Sequence, residues 1–221
     1  HLPIQPSIFR EYDIRGIAAR DLSPELAERL GYAYAALLEE RAGRPLNTMS
    51  VSVGRDCRLT SDTYAERLIA ALSSCGLKVI DLGVCPTPLT YFSIFQKNLD
   101  GGIMVTGSHN PADYNGFKIG IGRATLHGED IQLLRRLIEQ GVRPEPARGS
   151  CIRYDVIPDY IQHLCSHARP LKPLKVVLDA GNGTASTVAP ELFSRLGAQV
   201  TTLYCELDGR FPNHHPDPTV P

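Results

Sequence analysis

Short apolar runs ending in Gly, Ser, Asn or Asp alternate along this chain with longer segments whose apolar residues recur three and four apart. The alternation predicts strand–helix–strand units and a mostly parallel sheet covered by helices, because parallel neighbours need a long crossover connection. From Ser23 a helix is signalled by a capping serine, by Pro24 in the first turn, and by Leu26, Leu30, Tyr34 and Leu37 on one stripe. Val51–Val53 reads as a short strand opening into the loop GRDCRLTS, followed by a helix with Tyr64, Leu68 and Leu72 and with Gly76 just past its end. Lys78–Gly83 returns as a strand. A further helix after Pro86–Pro88, a strand at Gly101–Val105, a strand at Gly116–Ile119 and a helix carrying Ile131, Leu134, Leu137 and Ile138 complete this stretch.

Val142–Gly149, rich in Pro, Arg and Glu, interrupts the pattern and marks an expected domain boundary at 149/150. The pattern then restarts: a helix at Pro158–His167, strand Val176–Asp179, loop AGNGT, a helix with Val188, Leu192 and Leu196, and strand Gln199–Leu203. Segments 51–83 and 175–204 repeat the order strand, polar Gly loop, helix, strand. The expected fold is therefore α/β, with two tandem units, 1–149 and 150–221, each a mixed, mostly parallel sheet covered by helices. The second unit does not close, because DGRFPNHHPDPTVP forms no further element; a fragment of a longer protein is expected, and His1 in place of Met points to a trimmed or engineered start.

The 221 residues carry a formal net charge of -1, which gives no general attraction to nucleic acid or anionic membranes, so any anion site must be local. No apolar run is long enough to span a bilayer and HLPIQPSIFREYDIRG lacks a signal-peptide core, so a cytoplasmic location is expected. The 6 cysteines are scattered without a CxxC pair, which fits buried reduced thiols. Oligomeric state is left open by the sequence.

Chemistry concentrates at TGSHNP, residues 106–111, on a turn leaving the strand Gly101–Val105. Ligands of open α/β sheets bind at the carboxyl ends of strands. Three readings of Ser108 follow: a turn serine, a hydrolase nucleophile, or a serine that carries a phosphoryl group. The hydrolase elbow needs Gly two places before and after the serine, where this chain has Thr106 and Asn110. YDIRG, VGRDCR and YNGFK were expected to place further cations and donors on loops of the same unit.

FREYDIRG, VGRDCRLTS, CPTP, TGSHNPADYNGFKI, VVLDAGNG and DGRFPNHHPDP occur in the order found in the α-D-phosphohexomutases, and the chain resembles the bacterial phosphomannomutase/phosphoglucomutase branch of that family. The resemblance implies an intramolecular phosphotransferase. Ser108 would carry the phosphoryl group and donate it to a hexose 1- or 6-phosphate, of mannose or glucose; a hexose 1,6-bisphosphate forms, turns over and returns its other phosphate to Ser108. It implies Arg15 and Lys118 beside the phosphoserine, and Mg2+ held by a phosphoserine oxygen and an Asp-Gly-Asp-Gly-Asp-Arg loop. No such loop occurs in these 221 residues, so the remaining metal ligands are expected beyond Pro221 and the fragment alone is expected to be inactive.

A phosphoserine carries about -1.5 to -2 charges near neutral pH, which is why cations belong around it. Arg15 is a permanently charged fork and a poor proton acceptor. Lys118 is assigned electrostatic work first. His109, with an ordinary pKa near 6.5, is the better titrating group. His109, Tyr12, Asn110, Arg15 and Lys118 are the candidate substrate contacts, although a Tyr behind a strand is more often core packing and an Asn before Pro more often a turn device. Arg55, Asp56 and Arg58 read either as lining the cleft or as a structural ion-pair network holding the serine loop, and they are left out of the catalytic set. In AGNGT, Asn182 is expected at positive φ. His214, His215 and Asp217 read as a surface connector rather than a metal site. The competing function class is a non-catalytic α/β anion-binding or interaction module.

Overall fold

The computed structural model describes residues 3–169 and 172–220; His1 and Pro221, on which the readings of the chain ends rest, lie outside them. The elements are β1 (Ile14–Ile17), α1 (Pro24–Ala42), β2 (Ser50–Arg55), α2 (Ser61–Ser74), β3 (Lys78–Val84), α3 (Thr87–Gln96), β4 (Gly101–Val105), β5 (Tyr114–Ile121), β6 (Ala124–Thr125) and α4 (Glu129–Glu139). They continue with β7 (Ser150–Arg153), α5 (Ile157–His167), β8 (Lys175–Asp179), α6 (Ala189–Arg195) and β9 (Gln199–Leu203). The start of α1 follows the sequence signals: Ser23 Oγ accepts the Leu26 N–H at 3.0 Å and Pro24 occupies the first turn.

Among the described residues, one seven-stranded sheet runs β1-β5-β4-β2-β3-β7, with β6 added to β5. It is parallel where β2 meets β3 and β4 and where β3 meets β7, and antiparallel where β5 meets β1, β4 and β6. Both faces are covered. Val51, Val53, Ile103 and Phe117 face a core shared with α1, α2 and α4, while Ile80 and Leu82 face a second core with Leu89 of α3 and Ile161 of α5. Strands buried on both faces explain why the runs read as continuously apolar rather than alternating.

Three features depart from expectation. YDIRG was expected on a loop, yet Arg15 lies on β1; Lys118 lies on β5, where the strand Gly116–Ile119 was expected, and the two strands pair antiparallel with Ile14 opposite Phe117. Four residues of β1 are too few to show a period, and their partner lies far along the chain. The strand Ser150–Arg153, just after the expected boundary, pairs with β3 as the edge of the first sheet. Cys75 and Cys85 are buried as expected of reduced thiols, but Cys151 is exposed, because it sits on that edge strand.

In the second unit, β8 and β9 pair in parallel, joined through a short 3-10 turn at Thr184–Thr187 and α6. Asn182 takes φ 63° as its loop reading requires, and is buried, with Nδ2 donating to Glu206 O at 2.9 Å. No helix among the described residues is long and apolar enough to cross a membrane.

Candidate active site

Ser108 stands at the carboxyl end of β4 with φ 54°, a left-handed conformation uncommon for a residue with a side chain, and its side chain is exposed. The loop beneath it is over-determined. Thr106 Oγ1 accepts the Ser108 N–H at 2.9 Å and donates to Asp56 Oδ2 at 2.8 Å, while the Gly107 N–H donates to the same oxygen at 3.1 Å. Arg58, 3% exposed, donates from Nη2 to Ser108 O (2.9 Å) and Asn110 O (2.7 Å), and from Nη1 to Tyr114 O (3.0 Å) and to Pro111 O. Its Nε donates to Asp56 Oδ2 at 3.1 Å, and the other oxygen of Asp56 accepts from Arg58 N and Ser61 Oγ. Asp56 and Arg58 therefore form a buried pair whose remaining donors clamp the carbonyls of Ser108 and of the residues that follow it. Arg55 takes no part; it pairs with Asp62 and Asp81.

Arg15 is a second clamp. Its Nη1 donates to Gly107 O at 2.8 Å and to Asn110 Oδ1, and its Nη2 donates to Asp13. Burial pulls its pKa down, and the Asp13 carboxylate opposes that shift. Arg15 faces Gly116 across the strand pair, and a Cβ at Gly116 would fall 2.1 Å from Ile14 O and 2.9 Å from Arg15 Nε. Only glycine leaves room there for the guanidinium. Lys118, two residues farther on the same face, places Nζ 3.5 Å from Asp13 Oδ2, with its side chain 26% exposed. Around the Ser108 loop, Arg15 and Lys118 share the Asp13 carboxylate, and Arg58 is paired with Asp56.

His109 is exposed, and its Nδ1 stands 3.5 Å from Ser108 Oγ. Asn110 is a turn device, its N–H donating to Gly107 O at 3.0 Å while its side chain accepts from Arg15. Tyr12 is 72% exposed, so it is not core packing. Asp13 and Thr106 were missed from the sequence. Period-two spacing with Arg15 could have placed Asp13 on the same strand face, had β1 been recognised.

The cleft holds about 700 Å³ and is lined by Thr106 and Ser108 on one side and by Asp179, Gly181, Thr184 and His214 on the other. His214 and His215, exposed, and the half-buried Asp217, expected as a connector, thus line the cleft. His214 Nε2 lies 2.9 and 3.0 Å from the two Asp179 oxygens and its Nδ1 lies 2.9 Å from His215 O. Both ring nitrogens face acceptors, an arrangement that favours the protonated ring. The His215 carbonyl first, then the bond to Asp179, raises the His214 pKa above its ordinary 6.5; the bond from His214 lowers that of Asp179. The contribution of His214 is thus complete below 6.5 and lost as pH rises through its raised value, and that of Asp179 is lost as pH falls through its lowered one. In an NMR titration His214 is expected to show a midpoint above 6.5, and Asp179→Asn to move it down; an unmoved midpoint would contradict the pairing.

Among the described residues, no group of three or more His, Cys, Asp or Glu side chains is arranged to hold a metal ion. The residues present therefore do not form a Mg2+ site by themselves.

Residues 6–142 match the family described as "Phosphoglucomutase/phosphomannomutase, alpha/beta/alpha domain I", and residues 158–221 match its domain II. The chain belongs to the phosphoglucomutase/phosphomannomutase family. It is 45% identical over 215 residues to a phosphomannomutase/phosphoglucomutase of Pseudomonas aeruginosa, covering 97% of this chain and 45% of that protein. It is 40% identical over 219 residues to a phosphoglucomutase of Neisseria meningitidis, covering 99% and 46%. A crystal structure of a family protein from Burkholderia thailandensis superposes with a TM-score of 0.90 at 38% identity, over 98% of this chain and 48% of the other. The chain spans about half the length of these relatives. The two matches leave 143–157 between them, and β7 falls in that interval.

Proposed function

We propose that the chain supplies the phosphoryl-carrying half of a phosphohexomutase, in which Ser108 passes a phosphoryl group to a hexose 1- or 6-phosphate of mannose or glucose and regains one from the 1,6-bisphosphate. The observation that carries the reading is the exposed Ser108, held at φ 54° in a loop whose carbonyls at Gly107 and Ser108 accept from two buried arginines, Arg15 and Arg58. A turn with no chemistry has no use for such a scaffold; strain of this kind, about 1–3 kcal/mol per residue, collects at functional sites.

In the transfer, the sugar hydroxyl attacks phosphorus as the bond from phosphorus to Ser108 Oγ breaks, and one proton moves in net from the sugar hydroxyl to Oγ, so that serine and phosphorylated sugar result. His109 is the group placed to return that proton, at 3.5 Å from Oγ. Lys118 lends positive charge to the transferred group while Asp13 keeps it aimed. Lys118→Ala in the full-length protein is expected to lower turnover by about 10^2 or more; steady-state kinetics at wild-type rate would remove Lys118 from the site. Mg2+, which the family implies, would draw its ligands other than the phosphoserine oxygen from outside these residues. The reading also includes two units divided near 149/150, a cytoplasmic setting, and a fragment inactive alone. A coupled assay of the full-length protein on both sugar 1-phosphates tests it; no 6-phosphate from either would reject it in favour of an anion-binding module.

A further inference from the structure

The segment after β9 lies across the loop that carries Arg58. A Cβ at Gly209 would fall 2.4 Å from Cys57 O, 2.8 Å from Arg58 Cα and 3.0 Å from Leu59 N, so the two backbones touch where only glycine fits. Two residues later the Phe211 ring covers the guanidinium of Arg58, with Cζ 5.1 Å from the ring centroid. Phe211 takes φ 50°, a left-handed conformation that a phenylalanine holds only where its surroundings require it. Farther along, Asn213 Nδ2 donates to Asn182 Oδ1 at 2.8 Å and His214 bonds Asp179 at the end of β8. The segment is therefore anchored at both ends to the second unit and pressed in its middle on the first.

We propose that residues 208–217 form a strap that positions the phosphoryl-carrying loop, with Phe211 as the positioning residue acting through Arg58. The proposal rests on the reading of Ser108 as the phosphoryl carrier. Every donor of Arg58 lies in the guanidinium plane and is committed to Asp56 or to the carbonyls of Ser108, Asn110, Pro111 and Tyr114. Only the faces of the guanidinium remain open to water, and the Phe211 ring closes one of them by a cation–π contact. Because Phe211 also lines the cleft, the second unit sets the height of the serine loop within it. Removing the ring lets water compete for the guanidinium and loosens the carbonyls that hold Ser108.

The test uses the full-length protein. Phe211→Leu keeps a side chain at the same backbone angle and removes only the ring; it is expected to lower kcat about 10-fold at unchanged KM. It is also expected to shift the 31P resonance of the phosphorylated serine, and Phe211→Tyr to restore both. Gly209→Ala, which forces the strap off the loop from its other side, is expected to act in the same direction. Wild-type kcat and an unmoved 31P resonance in Phe211→Leu would overturn the strap, as would a lower unfolding midpoint with neither changed. Absence of any phosphoserine signal from the wild-type protein would overturn the underlying reading instead.

Discussion

Ser108→Ala in the full-length protein is expected to cut mutase turnover by a factor on the order of 10^6, the scale of loss when a covalent nucleophile is removed. The effect is large because the neighbouring hydroxyl cannot stand in. Thr106 Oγ1 is committed to Asp56 and to the Ser108 N–H, and the arginines around the loop are donors only. Stability should barely change, within about 0.5 kcal/mol, as for other exposed surface substitutions. The Ser108 side chain is exposed, and its one neighbour within reach is the His109 ring at 3.5 Å. Alanine also meets the same cost at φ 54° as serine does. Activity lost together with a lowered unfolding midpoint would mean that the serine supports the loop rather than the chemistry.

The opposite pattern is expected at Asp56. Asp56→Ala removes the acceptor for the Arg58 backbone and side chain, the Ser61 and Thr106 hydroxyls and the Gly107 N–H. It also strands the Arg58 charge in a site where that residue is 3% exposed. Breaking a buried pair from one side typically costs about 3–5 kcal/mol, much of it the uncompensated charge left behind. Urea unfolding is expected to show a midpoint lowered to match, with Asp56→Asn intermediate because it keeps an acceptor oxygen. A midpoint within error of wild type for Asp56→Ala would show that the loop is held without this pair.

The alternation of strand and helix was legible because the helices and the longer strands show their own period and end in their own turn chemistry, as Ser23, Gly76 and Asn182 illustrate. Asp56 and Arg58 were legible as a structural pair because opposite charges two residues apart on a turn can meet locally. β1 was not legible, and with it went Asp13: its meaning comes from β5, whose Lys118 reaches the same carboxylate from the far end of the unit. The contact of Phe211 with Arg58 was hidden for the same reason. Pairings between distant segments leave no periodic trace in either one.

The central claim is that the Ser108 hydroxyl is the relay point for the phosphoryl group. Intact-mass and tandem mass spectrometry of the full-length protein after incubation with glucose 1,6-bisphosphate tests it most directly. The account predicts a single added phosphoryl group located on Ser108, absent from the Ser108→Ala protein. An unmodified wild-type protein, or the same added mass on the alanine variant, would contradict it.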